Sequence, residues 1–95
     1  MGSVPRKTST RDRHRRILKA RRGPCGICKQ PIDYRLPYLH PMEFVADHII
    51  PLIKGGPDTL ANKQSAHRSC NRAKGDQIES ELKAMTELVK RVRTY

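Results

Sequence analysis

Large rings are scarce in this chain, which has no Trp and one Phe, with aromatics at 4% of its 95 residues. A broad aromatic core is therefore excluded. With a hydrophobic share of 36%, even an aliphatic core is thin. A domain of this length buries only about 60–65% of its unfolded surface, so the composition calls for a staple, either a metal or disulfides. Cysteine is short as well: three residues, an odd number, argue against a disulfide framework and for a metal site or a reactive thiol. No apolar run approaches the ~20 residues that a membrane helix needs. Residues 1–22 are basic and polar, without the apolar centre of a signal peptide. These absences lead us to expect a soluble, cytoplasmic protein with no membrane partner. Negative charge is the last scarcity. Nine Asp and Glu face twenty Lys and Arg, for a net charge of +11, an excess that points to a polyanionic partner, most often nucleic acid.

Residues 1–8 read as a disordered tail, and residues 9–95 as a single domain with its core at about 17–75 and a C-terminal helix at about 76–93. Residues 9–22 predict a short basic helix, capped by Ser9 or Thr10 and stopped at Gly23-Pro24. Seven of the twelve residues in 11–22 are Lys or Arg. Such a run is either a solvated face or a phosphate-contacting surface, and the overall charge favours the second. Arg15, Arg16 and Lys19 are its candidate contacts. A Pro-rich loop follows. Residues 42–47 predict a strand centred on Phe44 and Val45, and residues 63–66 a second one. Between them, residues 54–58 are loop. Residues 69–74 predict a brief helix stopped by Gly75. Asp76 then caps a final helix, with Glu79 completing a capping box. Along it Ile78, Leu82, Met85, Val89 and Val92 form an apolar stripe at helical spacing. The stripe is expected to pack on the small body or on the N-terminal helix, and a dimer or protein-partner surface is the alternative.

Two short pairs supply metal-ligand chemistry. Cys25-x-x-Cys28 and His67-x-x-Cys70 each place two soft or borderline donors across one tight turn. Together they make the four ligands of a tetrahedral structural Zn²⁺, with His40 as the fallback fourth. A redox role for Cys25 and Cys28 has no βαβ context to support it. Zinc binding contributes on the order of 10 kcal/mol to folding, which a core this thin does not supply.

Between the pairs stand Asp47-His48-Ile49-Ile50-Pro51, Gly55-Gly56-Pro57-Asp58 and Leu60-x-Asn62, followed by His67-Arg68-Ser69-Cys70-Asn71-Arg72-x-Lys74. With the Cys25/Cys28 knuckle, these residues resemble the HNH endonucleases over about residues 17–75. The resemblance implies a small α+β, zinc-stabilised domain with a ββα-metal core: two short antiparallel strands and a helix clasping one divalent ion. Here that core would be flanked by the basic N-terminal helix and the amphipathic C-terminal one. Carried over by position, Asp47 and Asn71 would be ligands of a catalytic Mg²⁺ or Mn²⁺. His48 would be the general base, and Asn62 would orient it through its side chain or the loop it fixes. Asn71 stands where the family more often has histidine, and its amide oxygen suits a hard ion. His67 stands where cysteine is more usual. Arg68, Arg72 and Lys74 flank the site as candidate DNA contacts.

Histidine suits base work near neutral pH, with an unperturbed pKa near 6.5. One stereochemical demand stands out. Neighbours on an extended strand point to opposite faces, so Asp47 and His48 converge only if the strand ends or bends there. Taken singly, Asp47, His48, Asn62 and Asn71 each have bland readings as caps, turn residues or a surface histidine. Their joint spacing favours a DNA endonuclease, and the resemblance implies a small, phage-type member linked to genome packaging. A non-catalytic zinc module that binds nucleic acid by charge is the rival. An accessory subunit that cuts only inside a complex is a third reading.

Overall fold

The computed structural model describes the backbone of residues 3–92 and the side chains of residues 9–90. Helix α1 spans Ser3–Arg21, strands β1 and β2 span Phe44–His48 and Lys63–His67, and helix α2 spans Arg68–Val92. Two 3₁₀ turns, Leu52–Lys54 and Leu60–Asn62, lie in the connection between the strands. The strands form one antiparallel hairpin in which Phe44 faces His67, Asp47 faces Gln64 and His48 faces Lys63. Both helices pack against this hairpin.

Phe44 and Val45 favour the pleated, half-buried surface that β1 occupies. The connection turns on two glycines. Gly55 has φ +88°, where a side chain is strained, and a Cβ on Gly56 would collide with the Ile50 carbonyl. The apolar core is small. Leu18 of α1, Tyr34 and Phe44 are buried together, with Ile32, Ala46 and Leu60 at the margin, and the Tyr34 and Phe44 ring centroids lie 5.1 Å apart.

Three boundaries differ from the sequence reading. Helix α1 begins at Ser3, so Ser9 and Thr10 lie inside it rather than at its cap, and residues expected as a tail continue it. Pro5 sits in the first turn, where a missing N–H has no helical partner to lose. Residues 1 and 2 lie outside the described residues. Helix α2 runs without a break through Gly75, so Asp76 and Glu79 are helix-interior residues and not a capping box. Interior glycine costs only about 1 kcal/mol, and the Lys74 ammonium pins that turn to the hairpin through Asp47 and His48. The apolar stripe meets the body only at its start: Ile78 and Leu82 are half-buried, but Met85 and Val89, with the neighbouring Leu88, are exposed. Only the first turns of α2 reach the hairpin, and the rest projects, giving extents of 55 × 38 × 23 Å. The Val92 side chain and residue 93 lie outside the described residues.

Candidate active site and metal centre

Cys25, Cys28, His67 and Cys70 come together, their donor atoms all within 4.8 Å of one another. His67 Nδ1 lies 3.3 Å from Cys28 Sγ and 3.8 Å from Cys70 Sγ. Bond lengths of about 2.3 Å to sulfur and 2.0–2.1 Å to nitrogen around a tetrahedral zinc place ligand atoms about 3.5–3.8 Å apart. The donors thus have the spacing a zinc ion needs. His67 is fully buried, and its Nε2 lies 3.0 Å from the Pro31 carbonyl. Nε2–H donates there, leaving the Nδ1 lone pair to face the thiols, as a metal-ligating imidazole requires.

The local fold arranges this. The Gly26 N–H donates to the Ser65 carbonyl at 2.8 Å, docking the knuckle on β2. The backbone N–H groups of Cys28 and His67 both point at Cys25 Sγ. Burial pushes the Cys25 thiol up, but these N–H groups and that of Ile27 outweigh it and bring the pKa down to about 6. Burial and the neighbouring Cys28 and Cys25 push Cys70 up to about 11. Crowded thiolates of this kind are the group a dication relieves. The Cys3His group suggests a structural zinc. His40 stands apart from it, with Nδ1 accepting the Met42 N–H at 3.0 Å.

A second cluster lies at the other end of the hairpin. Asp47, His48 and Asn71 line one groove of about 260 Å³, together with Lys74, Gly75 and Ile78. Both residues line the groove, but their side chains take different partners: Asp47 turns to Gln64 and Lys74, and His48, the last residue of β1, turns to Asp58. Asp47 is 6% exposed. Its Oδ2 accepts from Gln64 Nε2 at 2.9 Å, across the hairpin, and from Lys74 Nζ at 2.7 Å. Lys74 Nζ also donates to the His48 carbonyl at 2.7 Å and the Ile49 carbonyl at 3.2 Å. Three oxygens therefore converge on one cation beside Asn71, a hard donor set of the kind that suits Mg²⁺ or Mn²⁺.

Asn62 is buried, and its side chain bonds the loop rather than the His48 ring. Its Oδ1 accepts the Ile50 N–H at 3.0 Å, while Nδ2 donates to the carbonyls of Ile50 at 3.0 Å and Pro57 at 2.8 Å. The ring partner of His48 is Asp58, with Oδ1 at 2.9 Å from Nε2. Among the described residues, His48 Nδ1 has no hydrogen-bond partner.

The basic residues divide. Arg68 is paired with buried Glu43 at 3.5 Å, and the Arg15 guanidinium lies 5.3 Å from the Phe44 ring centroid. Arg16, Lys19 and Arg72 are exposed and have no ion pair among the described residues.

The sequence reading missed three polar residues of this cluster. The sequence marks Asp58 as loop and as part of the run that resembles the family, without a role, and does not single out Lys63 or His14. Lys63 Nζ lies 3.1 Å from Asp58 Oδ1 and 2.9 Å from His14 Nδ1. An acidic residue in the short loop joining a histidine strand to a lysine strand was the available signal.

The model of the HNH endonuclease family matches residues 25–77. No curated protein and no solved structure gives a significant match. The matched segment is more than half of the chain and contains the Cys3His group together with Asp47, His48, Asn62 and Asn71, so this protein belongs to the HNH endonuclease family. Membership points to a phosphodiester hydrolase with DNA as its substrate, rather than to a purely binding module. Among the described residues no helix is long and apolar enough to cross a membrane.

Proposed function

We propose that the groove between β1 and α2 hydrolyses DNA phosphodiester bonds, with His48 as the general base and Asp47 and Asn71 holding a catalytic divalent ion. One observation carries the reading: His48, Asp47 and Asn71 share a groove that the Lys74 ammonium already marks as a cation cradle. A hard ion such as Mg²⁺ or Mn²⁺ supplies charge neutralisation at the phosphate and stabilises the departing oxygen. His48, which lines the groove, takes the proton of the attacking water through Nδ1, a contribution of about 10²–10⁴-fold. Asn62 keeps the loop beyond His48 in place. Lys74, displaced from Asp47, turns its charge to a phosphate oxygen. Arg72, with Arg16 and Lys19 of α1, contacts the DNA backbone, and Arg68 and Arg15 act mainly by shaping the surface around them.

The products are a 3′-hydroxyl and a 5′-phosphate. The test is cleavage of end-labelled duplex DNA with Mg²⁺ or Mn²⁺, with the ends mapped. Asp47→Ala should abolish cleavage while zinc stays near one per chain. Loss of zinc in that variant would show that the two metal sites are misassigned.

As part of the same reading, supported by the family resemblance, we propose an intracellular, phage-type setting linked to genome packaging. The exposed Met85, Leu88 and Val89 favour a second element, contact with a protein partner or a second copy through α2. Met85→Glu should then remove that association in sedimentation without changing zinc content, and unchanged association would contradict it.

A further inference from the structure

The polar residues behind His48 form a chain that reaches α1. Asp58 Oδ1 accepts from both His48 Nε2 at 2.9 Å and Lys63 Nζ at 3.1 Å. Lys63 Nζ donates in turn to His14 Nδ1 at 2.9 Å. We propose that Asp58 is the positioning residue of His48, holding the ring with Nε2 protonated and Nδ1 open, and that Lys63 and His14 lock Asp58, making α1 part of the cleavage machinery. The proposal rests on the nuclease reading above.

A carboxylate with a side chain 57% exposed would ordinarily be a poor anchor, because exposed ion pairs are worth only about 0–1 kcal/mol. Lys63 changes this. Its side chain is 2% exposed, and an ammonium buried to that degree must keep its anion and its hydrogen-bond acceptors. Asp58 cannot swing into solvent without leaving that charge uncompensated. The backbone is held as well, since Asn62 bonds the carbonyl of Pro57, the preceding residue. His14, 7% exposed, accepts through Nδ1 and is therefore neutral in this arrangement. Burial, followed by the Lys63 charge, lowers its pKa.

The consequence for His48 is stereochemical. A carboxylate only accepts, so the nitrogen it touches must carry the proton. Which imidazole nitrogen is free is set by the bond the other one makes. With Nε2–H donated to Asp58, Nδ1 is left as the base.

The experiment combines a spectroscopic and a kinetic measurement on the zinc-loaded full chain. Nitrogen-15 shifts of the His48 ring, recorded above the ordinary imidazole pKa, report the tautomer without any catalytic ion. Wild type should show the Nε2–H form alone, and Asp58→Ala a mixture of both. In single-turnover cleavage of duplex DNA, Asp58→Ala should be slower by about 10²-fold with DNA affinity unchanged within about twofold. Asp58→Asn, which keeps an acceptor oxygen, should recover part of the rate. Lys63→Met, with zinc content and far-UV spectrum as folding controls, should fall between wild type and Asp58→Ala. A wild-type tautomer and rate in Asp58→Ala, with His48→Ala inactive, would overturn the positioning role alone. Cleavage by His48→Ala at the wild-type rate would instead overturn the underlying assignment of the base.

Discussion

Asn62 commits its whole side chain to backbone groups of the loop it faces, Ile50 on both sides and Pro57. Asn62→Ala leaves three partly buried polar groups short of a partner, and each such group costs about 1–3 kcal/mol. Loop relaxation and water recover part of this, so denaturant unfolding should show a loss of about 2–4 kcal/mol. His14 gives a pH signature. Its pKa is lowered from 6.5 by burial and then by the charges of Lys63 and Arg13. The unfolded chain therefore takes up this proton at a higher pH than the folded one, and stability rises with pH across that window. The contribution is in place above pH 6.5 and is lost as pH falls toward the folded value. Thermal melts of wild type and His14→Gln should converge on acidification and part near neutrality; parallel curves would contradict the assignment. At this scale the sequence was legible where chemistry fixes local spacing. Cys25/Cys28 and His67/Cys70 could be paired because two ligands across one turn must lie three residues apart. Asp58 could not be read as the partner of His48. His48 and Asp58, with nine residues between them, meet only because Asn62 and the two glycines fold the loop back, and the burial of Lys63 depends on α1, which is distant in sequence.

Among the elements, β1 was readable from its β-favouring Phe44 and Val45 and the loop from Gly55-Gly56, whereas β2, Lys63–His67, has no such residue. The end of the first α2 segment was not. A glycine followed by aspartate reads as a stop and a cap, yet tertiary anchoring by Lys74 carries the helix through. A Cβ on Gly75 meets no atom within 4 Å, so Gly75→Ala should raise stability by about 0.5–1 kcal/mol. A thermal midpoint that falls would show that α2 breaks there in solution. The stripe on α2 has the periodicity of a buried face, and periodicity says that a surface wants cover without saying what covers it. The hairpin is only five residues long in each strand, too short to seat a 25-residue helix along its whole length.

At the scale of the whole molecule, the apolar core is three buried residues and their margin, and the radius of gyration is 16.3 Å. A compact chain of this length has about 12 Å. Such an open body holds together through the Cys3His group, which joins the knuckle before the hairpin to the strand and helix after it. Chelation of zinc should therefore abolish the cooperative melt and most far-UV ellipticity, and structure that persists would contradict the role of that group. The proposed cutting centre is the other cluster, His48 and its neighbours, in a groove distinct from the zinc. Its most direct test is nicking of supercoiled plasmid by zinc-replete wild type and His48→Ala in Mg²⁺ or Mn²⁺. Relaxed plasmid should appear with wild type alone and be lost without the divalent ion, with one zinc in both proteins. Equal nicking by His48→Ala, or none by the wild type under either ion, would contradict it.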